Sequence, residues 1–373
     1  MRAGPVIAAV SVVVILALAA YAVSVMHGSG NGSSDGPAPE EPGEGLTGIH
    51  VTGLPEGFSV SGDDTIMAPG EVTWHVTDNL HTFYDVSGSG SFTERYSGYD
   101  VTSPSLTLDV GAYTVTAEGC EFIVVVYGDI VRSVSWTYDM DGVRVEAVIE
   151  YTISLEDLLS STESSRGFNS AHNNGTSASF DLLPEMVVTD SLTDAVERAL
   201  SDEYVRIGGD ASDAQGYLDF IASFVQLNVR YPGTIREDGP VRGWDYGVYG
   251  ADEYWALPQE TLYHLYGDCE DNSALLCALY IEAGYQVAMG GKSGHVFAGV
   301  ALEGFEEVSD SRLDDLGVGY LTLTMNTAVG GTDGTVYYAV ETIRGQTPVG
   351  YTTWTAFGDN TFWGTTGFYP VSG

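Results

Sequence analysis

The chain has 373 residues and carries 52 acidic against 13 basic side chains, a net charge of −39. That excess of carboxylates excludes nucleic-acid binding, which needs clustered Lys and Arg to displace counterions, and it disfavours docking on anionic lipid. It suits a surface kept soluble in high salt, where self-repulsion is screened; a fold that persists as salt is dialysed away would count against that habitat. At 44% hydrophobic and 11% aromatic residues the chain can build real cores, and its length suggests two folded domains. Cys120, Cys269 and Cys277 are too few and wrongly spaced for a disulfide framework or a zinc site. No cofactor or metal site is expected from the cysteines; the many carboxylates leave acidic calcium sites open, though no EF-hand spacing occurs.

From the N-terminus, residues 5–26 carry no charge and are long enough to cross a bilayer as a helix. With Arg2 before the run and acidic residues after it, residues 1–27 are expected to be a single-pass membrane anchor with a cytoplasmic N-terminus and the rest of the chain outside. A removed signal peptide is the alternative. Residues 28–46, rich in Gly, Ser, Pro and Glu, read as a flexible stalk. Over 47–128, short β runs split by Gly, Asp and Ser predict a small β-sandwich-like domain. Residues 129–204 predict a β-hairpin turning at Asp141-Gly142, then a polar stretch, then a helix capped at Ser191.

Residues 205–373 read as α+β, with helices first and strands after. Tyr217, Phe220, Ile221, Phe224 and Asn228 give one buried face of a helix over 213–228. A short helix spans Pro258 to Tyr266 with Gly267 at its end, and another runs from Cys269 to Ala283. Strands follow at 286–289, 295–302, 320–325 and 335–342, with 303–334 resembling an insertion.

Gly267-Asp268-Cys269-Glu270-Asp271 carries the chemistry. Asp268 as N-cap sets Cys269 in the first helical turn, where the dipole favours a thiolate by only about 0.3–1 kcal/mol. An imidazolium about 4 Å away contributes up to about 4 kcal/mol at an effective dielectric of 20, so activation requires a histidine. The acidic neighbours must then cap the helix or face solvent. His295, opening an apolar strand after Gly290-Gly291-Lys292-Ser293-Gly294, is the candidate base; His264 reads as an ordinary helix residue. Glu341, at the end of a β run, is the candidate to orient the imidazole, with Asp333 or Asn326 as alternatives. Trp244, Tyr246 and Trp255 cluster before the nucleophile and could line a substrate groove or pack a core. Cys277 reads as core and Cys120 as structural.

Gly267–Asp271, the helix ending in Ala283-Gly284-Tyr285, and Gly294-His295-Val296 resemble the core of the transglutaminase-like superfamily, as do Phe224-Val225-Gln226 with Tyr231 and Pro258-Gln259-Glu260-Thr261-Leu262. The resemblance covers about residues 205–350. It implies a papain-like fold and a Cys-His-Asp triad that transfers acyl groups through a thioester. Cys269 and His295 match the family positions, whereas Glu341 stands where the family usually has Asp. By the same analogy Gln226 is a candidate oxyanion donor beside the Cys269 N–H. The implied activity is an extracytoplasmic peptidase or amidase acting on a protein or peptide substrate. Protein cross-linking and a non-catalytic surface scaffold are the alternatives.

Overall fold

The computed structural model describes residues 47–80, 84–86, 92–94, 98–172, 180–231, 245–249, 251, 253–292, 295–317, 324–326, 335–342, 345–351 and 367–371. The chain divides into two compact units. One takes the chain up to Asp85 with Thr93–Ile130 and Ser154–Glu163; the other takes Val86–Phe92, Val131–Ile153 and Ser164 onward.

In the first unit, β1 (Gly48–Thr52), β2 (Ser59–Val60), β3 (Thr65–Asp78), β6 (Gly98–Thr107), β7 (Gly111–Ala117) and β8 (Cys120–Tyr127) make one six-stranded sheet, while β4 (Tyr84–Val86) and β5 (Phe92–Glu94) pair separately. The sequence predicts a β-sandwich-like domain; among the described residues, six of its strands belong to one sheet. The reason lies in β3. A register shift between Met67 and Val72 lets its first residues pair with β2 and the end of β6, and its remainder with β7 and the start of β6. Such a bulge bends the strand, so Ile66 before it and Trp74 after it share one core with Phe122, Val124 and Leu106. Alternation is clean, with Val72, Trp74 and Val76 buried and Thr73 and His75 exposed. Each large side chain buried this way contributes roughly 1.5–3 kcal/mol.

In the second unit, β9 (Asp129–Met140) and β10 (Val143–Ser154) form the predicted hairpin. Asp141 and Gly142 take φ of 52° and 86°, the positive pair that a type I′ turn requires. Helix α1 (Leu155–His172) belongs to the first unit up to Glu163 and to the second from Ser164. Helices α2 (Ser191–Arg206), α3 (Ala214–Asn228), α4 (Tyr246–Tyr249), α5 (Pro258–His264) and α6 (Cys269–Glu282) follow, with a 3-10 turn at Phe180–Met186. The cap of α2 is Asp190 rather than Ser191: its carboxylate accepts from Leu192 and Thr193 N–H, and Thr193 closes the capping box. Asp213 caps α3 by accepting from the Gly216 N–H at 2.9 Å. α5 stops at Leu265, which turns left-handed at φ 52°, two residues before the glycine expected to end it.

Strands β11 (Val287–Lys292), β12 (His295–Ala301), β13 (Thr324–Asn326), β14 (Val336–Val340) and β15 (Gly367–Pro370) form an antiparallel sheet ordered β13-β14-β12-β11-β15. α6 is buried on all sides from Cys269 to Tyr280 and packs on β11 and β12 on one side and on α2, α3 and α5 on the other. Trp136 of β9 lies against Phe220 and Phe224 of α3, and its indole N–H donates to Ser223 Oγ at 3.1 Å. Within the 303–334 segment, α7 (Asp310–Leu316) is docked rather than loose. Leu313 packs on Tyr351, and Arg312 pairs with Asp139 at 2.6 Å.

The membrane-spanning helix expected at 5–26 is not found. Among the described residues no helix is long and apolar enough to cross a membrane, and residues 5–26, like the stalk at 28–46, lie outside the described residues.

Candidate functional site

Helix α6 begins at Cys269 because Asp268, in extended conformation, ends the preceding loop and serves as N-cap. Asp271, three residues on, accepts the Asp268 N–H at 3.3 Å with one oxygen and the Ala256 N–H at 2.8 Å with the other. The 253–257 loop is thereby tied to the helix start. Ser273 Oγ donates to the Cys269 carbonyl at 2.6 Å.

The Cys269 sulfur is buried among polar groups. It accepts from the Val296 N–H at the start of β12 and from the Tyr231 hydroxyl, and it donates to Glu270 Oε2 at 3.0 Å. His295, also buried, presents Nε2 to Glu341 at 3.2 and 3.3 Å from the two carboxylate oxygens. Strand register fixes this meeting. Ala298 of β12 faces Val340 of β14, so the first residue of one strand and the residue just past the other come together at the same sheet end. Glu341 Oε1 also accepts the Thr342 N–H at 3.0 Å, and Thr342 Oγ1 lies 3.4 Å from Ser273 Oγ on α6.

Electrostatics at the sulfur run opposite to the sequence expectation. Burial first, then Glu270 and Asp268, push the Cys269 thiol well above its ordinary value, against a small lowering by the Val296 N–H. The acidic neighbours are turned inward rather than to solvent. Glu270, Asp268, Asp271 and Asp245 are all buried, and burial together with their mutual repulsion raises each carboxyl far above its usual range.

Gln226 does not face the sulfur as an oxyanion donor. Its amide nitrogen donates to the Glu341 and Thr347 carbonyls at 2.7 and 2.9 Å, and its oxygen accepts the Thr347 N–H at 2.9 Å. It is a clamp that holds the backbone of Glu341. Trp255 does not line a groove: it is 3% exposed, packs on Phe168, and donates its backbone N–H to Asn169 Oδ1 at 2.8 Å. Trp244 and Asp333 lie outside the described residues, as do the side chains of Tyr246 and Asn326. His264 packs edge-on against Tyr249 and Tyr263 as a helix residue. Cys277 is fully buried on α6, its thiol pushed up to about 12 by burial, while Cys120 is exposed.

Two groups escaped the sequence reading of the site. Tyr231 entered only as part of a resemblance, although an aromatic hydroxyl just after a helix end is a natural donor to a facing helix N-terminus. Asp245 sits between Trp244 and Tyr246, and a lone carboxylate within an aromatic run is the signal that it is buried.

No family model matches the chain, and neither any curated protein nor any solved structure is found to be similar to it.

Proposed function

We propose that the chain is a thiol-dependent acyl-transfer enzyme of transglutaminase-like type that hydrolyses peptide or side-chain amides through a thioester on Cys269. The observation that carries this reading is the buried His295–Glu341 pair at 3.2 Å, set beside Val296, whose N–H bonds the Cys269 sulfur. With Nε2 donating to Glu341, Nδ1 is the ring nitrogen assigned as base. It takes the Cys269 proton, and the sulfur adds to the amide carbonyl. The resulting oxyanion is held by the Cys269 backbone N–H and by the Tyr231 hydroxyl, which takes the role first assigned to Gln226. Collapse breaks the C–N bond, His295 protonates the departing amine, and water cleaves the thioester.

The test is the rate of Cys269 alkylation by iodoacetamide, read by peptide mass on the full chain, with Cys269→Ala and His295→Ala controls. Modification of Cys269 well ahead of exposed Cys120, lost with His295→Ala, supports the enzyme. Modification no faster than Cys120 refutes it. A specific observation favours a second reading, a binding protein on the same scaffold: Glu270 accepts the thiol hydrogen and holds Cys269 protonated. Incorporation of a primary amine without any hydrolysed product would instead mark a cross-linking enzyme.

A further inference from the structure

The chain that follows Glu341 is tied down by side chains from several elements. Gln346 exchanges hydrogen bonds with the Asp139 backbone: its Oε1 accepts the N–H and its Nε2 donates to the carbonyl, both at 2.8 Å. Arg312 of α7 grips the same residue, donating to the Asp139 carboxylate at 2.6 Å and to its carbonyl at 2.8 Å. Gln226 of α3 holds Thr347 in both directions. Two turns earlier on the same face of that helix, Asp219 Oδ1 accepts the Val349 N–H at 2.6 Å. Gly350 then turns at φ 89° and donates to the Ala339 carbonyl at 2.8 Å, which brings the chain back onto the strand that presents Glu341.

Asp219 is the costly member of this set. An amide or a hydroxyl would accept one backbone N–H without bringing a charge under cover. Arg312, the cation that Asp219 feels, is committed to Asp139. Asp213 of the same helix and Asp141 of the hairpin turn add like charge. The hydroxyls of Tyr138, Tyr204 and Tyr280, from β9, α2 and α6, are within its field as well. Burial first, then these two acids, outweigh the Val349 N–H and Arg312 and push the Asp219 carboxyl up to about 7.

We propose that Asp219 is a positioning residue for the His295–Glu341 pair: through Val349 it completes, with Gln226, a two-point brace on the chain that sets Glu341 in place. The catalytic meaning of that pair rests on the function proposed above; the brace does not. A carboxyl oxygen accepts the Val349 N–H in either charge state, so the proton on Asp219 tunes the brace rather than making it. If the 346–350 stretch lifts off α3, water reaches the carboxyl and returns it toward 3.8. The seated form therefore holds the proton more tightly. The brace is firmest below pH 3.8, loosens as pH rises from there to about 7, and changes no further above that.

Two measurements on the full chain test this without any substrate: hydrogen exchange at the Val349 amide, and the ring 15N signals of His295, which report its tautomer. Asp219→Ala should cut Val349 protection about tenfold or more and turn His295 from one tautomer, with its proton on Nε2, into a mixture. Asp219→Asn keeps an acceptor and carries no charge, so it should restore both. Its Val349 protection, divided by that of the parent, should grow about 100-fold from pH 5 to pH 8, because only the parent ionises there. Alkylation of Cys269 by iodoacetamide should slow in Asp219→Ala and recover in Asp219→Asn. Val349 protection within about twofold of the parent in Asp219→Ala, protection lost with the His295 tautomer unchanged, or a ratio for Asp219→Asn that does not move with pH would each overturn the assignment. Cys269 reacting no faster than Cys120 in the parent would instead remove the enzyme reading and leave the exchange and 15N results standing. Should Asp219→Ala fail to fold, the pH series on Asp219→Asn decides the matter alone.

Discussion

Removing the Gln226 side chain separates a clamp from a catalytic donor. Gln226→Ala deletes three buried hydrogen bonds, of 2.7, 2.9 and 2.9 Å, and strands the Glu341 and Thr347 carbonyls and the Thr347 N–H. At about 1–3 kcal/mol for each buried group left unmet, less what entering water recovers, the loss is about 3–5 kcal/mol. For a unit of this size that lowers Tm by roughly 10 °C. Differential scanning calorimetry of the full chain measures the shift, and Gln226→Glu should do no better, because its oxygens would face two carbonyls. Activity should fall together with the fold, since the deleted bonds position Glu341. A variant that melts within about 1 °C of the parent while kcat drops roughly 100-fold or more would mark an oxyanion donor and refute the clamp.

Glu341→Gln should keep the fold but lower kcat by up to about four orders of magnitude by favouring the wrong imidazole tautomer, as steady-state rates on a responsive peptide would show. Mass mapping after iodoacetamide at pH 8 should find Cys277 unmodified in the native chain, because its thiol is pushed up to about 12, and modified once the chain is unfolded. Glu203 is buried, which alone would raise its carboxyl, but hydrogen bonds from Arg206 and the Val148 N–H bring it below its usual value. Its contribution is therefore full above the unfolded carboxylate range near pH 4.5 and is lost as pH falls through the lower folded value. Glu203→Gln should cost about 1–3 kcal/mol at pH 7 and flatten the acid limb of a urea-denaturation series. A Cβ on Gly299 would sit 2.4 Å from the Phe368 ring, so Gly299→Ala should destabilise by about 1–3 kcal/mol in the same assay.

Legibility tracked how local each determinant was. The start of α6 is written in a few residues, Asp268 as cap and Asp271 three positions on, and the hairpin at Asp141-Gly142 needs only a pair with positive φ. The meeting of His295 with Glu341 was foreseeable in kind, since each stands at a strand end. Which strand ends share a sheet edge is settled by pairing across 46 residues. Gln226 was misassigned because a residue type does not tell which way its amide turns, and its partners at 341 and 347 are brought in by tertiary packing. Helix α1 is hard to read from sequence because its run of Ser, Glu and Asn lacks an apolar stripe; burial of Leu155, Leu158 and Leu159 anchors its start. Glu270 was expected outside because carboxylates usually are. Its inward turn sets it near Asp245 and Glu253, from other stretches of chain.

β12 is the middle strand of its sheet, bordered on both sides, and α6 is covered all round. In amide hydrogen exchange such positions open only when the whole unit opens. The strand that carries the base and the helix that carries the thiol should therefore be among the slowest-exchanging segments, and reactivity should survive heating until the cooperative transition and vanish with it.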